Sequence, residues 1–170
     1  MKNKMDDLIS KNKILGKTFY LTKEGLKKIK GEYQKLRELK FSKTRGGAPR
    51  FFHSDDLDPE YLDFEDDLSL LDAKINDLEY IIKNAKVAKT PPSKDQNVVQ
   101  LGAKVLLDIE GEKEEFAIVG TLEANPSLGK ISNESPVGRA LLGHRIGDEV
   151  PVSSPIKTIY KIEKIKYSKS

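Results

Sequence analysis

The sequence of 170 residues contains no cysteine. This absence excludes both a disulfide framework and a metal site built from thiolates. The sequence also has no apolar run long enough to cross a membrane, and residues 1–10 mix Lys, Asp and Asn where a signal peptide would be apolar. We therefore expect a cytoplasmic protein that makes no membrane contact.

The net charge of the whole chain is only +3, but each of two successive segments carries charges of mostly one sign. Residues 11–50 carry thirteen Lys or Arg against three Glu, a balance of +10. Residues 51–86 carry eleven acids against three Lys, a balance of −8. Two antiparallel helices with these charges would attract each other. An ordinary solvated surface has the same composition, so both interpretations remain open.

A heptad pattern predicts a long helix that begins with Asp58 as N-cap and Pro59 at the first helical position, and that ends near Lys86. Apolar residues recur at steps of four and three, which places them on one face against a partner helix. At about 1.5 Å per residue, this helix would extend roughly 40 Å as an arm. The nine residues of this seam are Leu57, Tyr61, Phe64, Leu68, Leu71, Ile75, Leu78, Ile82 and Ala85.

A second, earlier helix is predicted to begin after Thr22, which would cap it. Gly25 and Gly31 weaken this helix by roughly 1 kcal/mol each relative to Ala. The two helices together predict an antiparallel coiled-coil hairpin. The apolar seam of the first helix consists of Leu26, Ile29, Tyr33 and Leu36.

The helical pattern fails between Phe41 and Ser54, where Gly46-Gly47 and Pro49 are helix breakers. Basic and aromatic residues together could contact nucleic acid, or the aromatic pair could fold back onto the hairpin. We favour the second interpretation. The residues concerned are Lys43, Arg45, Arg50, Phe51 and Phe52.

Eight of the thirteen residues from Asp55 to Asp67 are acidic. A helix N-terminus favours carboxylates, and Glu60 fits that role, but one or two acids suffice for it. Carboxylate oxygens concentrated at an exposed end are also the ligands that Mg²⁺ prefers. The spacing and central Gly of an EF-hand are missing, so capping and metal binding both remain possible.

The period of the pattern changes from helical to two after a proline-rich linker, residues 89–97. We expect a flexible tail over residues 1–17, the hairpin over 18–88 and a small antiparallel sheet with one short helix over 98–168, an α+β arrangement. Strands are predicted at Val98-Val99 with Lys104–Ile109, at Glu115–Val119 after a Glu110-Gly111 turn, and at Val150–Val152 and Thr158–Ile165. The short helix is predicted to begin at Ser135-Pro136 and to stop at Gly143.

The segment Gly129–Val150, GKISNESPVGRALLGHRIGDEV, closely resembles the C-terminal signature of the bacterial Gre transcription elongation factors, the GreA/GreB family. The upstream Glu123-Ala124-Asn125-Pro126 is similar to the same family. Leu21-Thr22-Lys23-Glu24-Gly25-Leu26 resembles the opening of the family's first coiled-coil helix. The similarity covers residues 19–166 and is densest in the C-terminal half.

The resemblance implies an FKBP-like C-terminal domain that docks on RNA polymerase and a coiled coil that enters the secondary channel. Acidic residues at its tip would help the polymerase hold a second Mg²⁺ and orient the water that hydrolyses the 3′ end of backtracked RNA. The factor would then be no enzyme itself and would have no cofactor of its own. Its partners would be the polymerase, the RNA 3′ end and the template DNA.

The tip departs from the family pattern, because Asp56-Leu57 and Glu60-Tyr61 match its two ends with about two residues missing between them. We predict that Asp56 and Asp58 assist catalysis and that Asp55, Asp56 and Asp58 face the shared Mg²⁺. Some relatives with Asp-rich tips inhibit the polymerase, and a channel-blocking inhibitor is the alternative function. Arg139, His144 and Arg145 are candidate polymerase contacts, although a lone His in a turn is more often only solvated.

Two further hypotheses come from other classes of protein. An FKBP-like fold allows a peptidyl-prolyl isomerase, but the C-terminal half offers only Phe116, Tyr160 and Tyr167 for an aromatic pocket. A structural coiled-coil adaptor without a metal role predicts that neutralising the tip acids changes nothing in transcription.

Overall fold

A computed structural model describes residues 17–46, 59–153 and 157–167 of the chain. These residues form two compact units. The hairpin unit comprises the described residues of Leu26–Asn84, and the sheet unit comprises those before and after it. The division therefore falls after Gly25 and before Ala85, whereas the sequence suggested 18–88 for the hairpin. The expected tail lies outside the described residues except for Lys17.

Two helices, α1 (Lys23–Arg45) and α2 (Pro59–Lys83), supply the hairpin unit. The seam of α2 is confirmed, because Leu71 and Ile75 are buried and the other described seam residues of this helix are half-buried. The four seam residues of α1 are likewise half-buried, while most positions between them are exposed. Each helix thus turns one apolar stripe inward, as its spacing of three and four dictates.

The ends of both helices differ in part from the prediction. The helical pattern does not fail at Phe41, because α1 continues to Arg45 and ends directly before the Gly46-Gly47 pair. Helix α2 begins at Pro59 as predicted. It ends at Lys83, three residues early, because the chain next forms a strand. Residues 47–58, which include Pro49 and the Phe51-Phe52 pair, lie outside the described residues.

That strand, β2 (Ala85–Val87), pairs in parallel with β1 (Phe19–Leu21). Leu21 is fully buried, and the Ala88 N–H donates to the Leu21 carbonyl at 2.8 Å. Neither strand was predicted, since three residues are too few for a visible period and their pairing joins segments 66 residues apart in register. The two strands that flank the helices in sequence therefore pair with each other within the sheet unit.

The main sheet has five strands in the order β5-β4-β3-β7-β6. They are β3 (Ala103–Ile109), β4 (Glu112–Val119), β5 (Lys130–Ser132), β6 (Glu149–Ser153) and β7 (Lys157–Tyr167). The predicted strands and the turn at Glu110-Gly111 are confirmed, except that Val98 makes only an isolated bridge to Arg145.

The sheet is mixed rather than antiparallel, because β5 pairs in parallel with β4. Between them the chain passes through two short 3₁₀ turns, Thr121–Glu123 and Pro126–Leu128. This connection carries the chain back along β4, so that β5 can pair with β4 while running in the same direction. The other three pairings are antiparallel, as expected.

The core lies on one face of this sheet, where Val105, Leu107, Ile118 and Ile162 are fully buried. Leu141 of the short helix α3 (Pro136–Leu141) is buried in the same cluster. The prediction for α3 is confirmed: the Gly138 N–H donates to the capping Ser135 Oγ at 3.0 Å. In the described parts of the chain, no helix combines the length and apolarity needed to span a membrane.

Candidate functional site

The predicted tip residues Asp55, Asp56 and Asp58 lie outside the described residues, so their roles stay predictions. The described part of the acidic segment is the first two and a half turns of α2. No group of three or more His, Cys, Asp or Glu side chains within residues 17–46, 59–153 and 157–167 is arranged to hold a metal ion.

Two ion pairs join the helices near this acidic end. The Lys43 ammonium contacts Asp67, and the Lys40 ammonium contacts Asp72. Both lysines are partly buried and follow Leu36 at the same steps of four and three that define the seam of α1. The seam of α1 thus changes from apolar residues to lysines towards the tip, while the seam of α2 remains apolar. The sequence carried a signal for these ion pairs, namely lysines at seam positions of the first helix opposite an acidic second helix.

The acids of α2 differ in their contacts. Asp67 and Asp72 form ion pairs with lysines of α1. Tyr61 donates its hydroxyl to Glu65 Oε1 at 2.7 Å, and this hydrogen bond raises the pKa of the tyrosine. Asp63 and Asp66 are exposed and form no ion pair with any described residue. Their negative charge remains available to the surroundings of the tip.

The candidate polymerase contacts lie on α3 and on the turn that follows it. His144 and Arg145 share that turn, where Asp148 Oδ2 lies 3.1 Å from His144 Nδ1 and accepts the Arg145 N–H at 2.8 Å. The backbone hydrogen bond from Arg145, with His144 beside it, lowers the pKa of the Asp148 carboxyl. His144 therefore has an intramolecular partner and is not merely solvated.

The guanidinium of Arg145 remains exposed beside Ile146, whose side chain is also exposed. Arg139 is exposed on α3, and its side chain forms no hydrogen bond or ion pair with the described residues of the turn. The structure thus brings His144 and Arg145 together and places Arg139 on the preceding element. Exposed Arg and apolar side chains are residue types that protein interfaces use, so a contact role for Arg139, His144 and Arg145 stays a prediction.

A second feature joins two of the segments that carried the family resemblance. The Thr22 N–H donates to Glu123 Oε2 at 2.7 Å, and the Thr22 hydroxyl donates to Glu123 Oε1. Thr22 Oγ1 also accepts the Gly25 N–H at 3.0 Å, which confirms Thr22 as the cap of α1. We call this arrangement of Thr22, Gly25 and Glu123 the clasp.

The clasp explains why Gly25 stands inside the first turn of a helix. A Cβ at this position would lie 2.1 Å from the carboxyl carbon of Glu123. The absent side chain therefore leaves room for the carboxylate to reach the start of α1. Sequence reasoning missed the role of Glu123, because no local pattern connects residues 101 positions apart.

Comparison with known proteins identifies the family. Residues 94–167 match the family model described as transcription elongation factor, GreA/GreB, C-term. The transcription elongation factor GreA of Thermomicrobium roseum is 38% identical over 143 residues, which cover 82% of this chain and 90% of that protein. This chain belongs to the Gre family of transcription elongation factors.

Other Gre relatives extend the match to almost the full length. GreA of Acetivibrio thermocellus is 39% identical over 155 residues, covering 88% of this chain and 97% of that protein. Among solved structures, GreA factor homolog 1 of Thermus thermophilus is 28% identical and covers 88% of this chain and 99% of its own, with a TM-score of 0.39. That superposition is loose, and the family assignment therefore rests on the sequence relatives.

Proposed function

We propose that this Gre-family chain binds RNA polymerase, inserts its hairpin into the secondary channel and stimulates cleavage of the 3′ end of backtracked RNA. The observation that carries the proposal is the match to GreA proteins across both the hairpin unit and the sheet unit. A factor that only docks would need the sheet unit alone. The protein would act in the cytoplasm, as an accessory to the polymerase's own hydrolysis.

The hairpin supports this proposal by its length and charge. Helix α2 has 25 residues, or about 38 Å at 1.5 Å per residue, which makes it a long and narrow arm. The ion pairs of Lys40 and Lys43 hold the helices together near the tip without using the acids closest to it. Such a hairpin would place carboxylates at its tip while the two helices remain in contact with each other.

The proposed chemistry belongs to the tip and to the polymerase together. Asp55, Asp56 and Asp58 would be the residues that face a Mg²⁺ ion shared with the polymerase, which would activate water and stabilise the leaving oxygen. The work of this chain is to place those carboxylates, and a misplacement of about 1 Å can cost a hundredfold in rate. On the docking side, Arg145 and Arg139 would contact the polymerase surface.

The test is an RNA cleavage assay on a halted, backtracked complex of the cognate polymerase with Mg²⁺. We expect the natural protein to accelerate loss of the RNA 3′ end, and a D55N/D56N/D58N variant to lose about a hundredfold of that acceleration. A D63N/D66N variant is the matched control, since it removes exposed acids from the described part of α2. Equal activity of the first variant and the natural protein would contradict a role for the tip.

The shortened tip, Asp56-Leu57-Asp58-Pro59-Glu60-Tyr61, favours a second candidate function, inhibition by blocking the channel. This candidate predicts no cleavage and slower nucleotide addition, relieved in the D55N/D56N/D58N variant. An adaptor without a metal role predicts that this variant changes neither rate. The isomerase hypothesis is disfavoured, since Phe116, Tyr160 and Tyr167 all pack against the core of the sheet unit.

A further inference from the structure

The sheet unit has a second face, opposite the core, whose charge pattern is unusual. In the strand register, Ala117 of β4 pairs with Lys130 of β5 on one side and with Lys104 of β3 on the other. Lys104 pairs in turn with Lys166 of β7. A single row across four strands therefore carries three lysines, which we call the lysine row.

Like charges directly opposite each other on neighbouring strands destabilise a sheet. Lys166 has partial relief, because its ammonium lies 3.7 Å from a Glu115 carboxylate oxygen. Lys104 and Lys130 form no ion pair with any residue in the described part of the chain. They lie two strands apart, or about 10 Å, so one anion of moderate size can contact both.

A cavity of about 250 Å³ opens at this row. Lys104 and Lys130 line it, and the first turn of α1 contributes Lys23. Its apolar wall is formed by Leu101, Ala117 and Val119. The two glutamates in the lining are Glu24 and Glu123, and both carboxylate oxygens of Glu123 accept hydrogen bonds from Thr22.

We propose that this cavity binds an organic phosphate of about mononucleotide size. The ammonium groups of Lys104 and Lys130 would hold the phosphate, since charge-assisted contacts are the strong ones in such sites. The apolar wall would cover the body of the ligand, as is usual in small-molecule sites. The inference is independent of the proposed function, because it concerns the sheet unit and not the tip.

The test uses the full chain and three probes: ADP, pyrophosphate and adenosine. Titration calorimetry at low salt is expected to show ADP binding more tightly than either part alone, and weakening as salt is added. In a K104Q/K130Q variant we expect ADP affinity to fall at least about tenfold. A K161Q/K164Q variant is the matched control, because it removes two exposed β7 lysines outside the cavity lining.

A second variant changes the shape of the cavity without changing its charge, and a second measurement reports on the cavity wall directly. Ala117→Leu fills the space between Lys104 and Lys130 without changing charge, and it should weaken the binding of both ADP and pyrophosphate. ADP should shift the methyl NMR signals of Ala117 and Val119. No saturable binding, equal weakening by both lysine variants, or pyrophosphate binding as tightly as ADP would each overturn the assignment.

Discussion

Gly25 and Gly31 both lie in α1, yet their surroundings give them opposite roles. A Cβ at Gly25 would collide with the Glu123 carboxyl, whereas a Cβ at Gly31 would meet nothing within 4 Å. We expect Gly25→Ala to destabilise the protein by about 1–3 kcal/mol, because the clasp must shift to admit a methyl group. Gly31→Ala should instead stabilise it by about 0.5–1 kcal/mol through helix propensity.

Urea unfolding followed by circular dichroism measures both changes. Gly31→Ala is the control for the intrinsic benefit of Ala in this helix. A Gly25→Ala/Glu123→Ala double variant should recover the part of the loss that comes from the collision. Equal stabilisation by the two single glycine variants would show that the clasp does not constrain Gly25.

At the scale of the element, two ion pairs supplement the apolar seam of the hairpin towards the tip. Lys43 and Asp67 form one of the two pairs that join α1 to α2 near the tip. Because both side chains are partly exposed, a double-mutant cycle of Lys43→Gln and Asp67→Asn should give a coupling of only about 0.2–1 kcal/mol. Raising the salt from 0.1 M to 1 M should remove most of it.

The matched control is a cycle on Lys83 and Glu79, whose 2.8 Å ion pair joins two residues of α2. Its removal should leave the separation of the two helices unchanged. A spin-label distance between α1 and α2 near the tip should broaden for the Lys43 variant and not for the Lys83 variant. An unchanged distance distribution in both would mean that the Lys43–Asp67 ion pair does not hold the two helices together.

At the scale of the molecule, the chain leaves the sheet unit for the hairpin and returns to it. Leu21 lies before the hairpin in sequence, but it is fully buried in the sheet unit as part of β1. We expect Leu21→Ala to destabilise the sheet unit by about 2–5 kcal/mol, since it leaves a cavity in a packed core. Amide hydrogen exchange measures this effect separately in each unit. We expect amides of β3 and β7 to lose protection.

Leu39→Ala provides the comparison, because Leu39 of α1 is 44% exposed. Its effect should stay within about 0.5 kcal/mol and should leave the exchange of β3 unchanged. If Leu21→Ala loosened the amides of α2 and spared those of β3, the assignment of β1 to the sheet unit would be wrong.

Features that depend on neighbouring residues could be predicted from the sequence. The seams of α1 and α2, the Thr22 and Ser135 caps, and the turn at Glu110-Gly111 all follow from spacing or from local hydrogen bonding. The family could also be recognised, because its C-terminal signature is a continuous run of residues. Periodicity carries this information since each of these elements forms from contacts within a few positions.

Contacts between distant segments could not be predicted from the sequence and were found in the folded chain. The parallel pairs β1–β2 and β4–β5, the clasp between Thr22 and Glu123, and the lysine row each join residues that no local pattern connects. Strands of three residues have too short a period to be seen, and register across a sheet is set by packing of the core on one face. The lysine row lies on the face of the sheet opposite the core, and it could therefore be recognised only from the pairing of the strands.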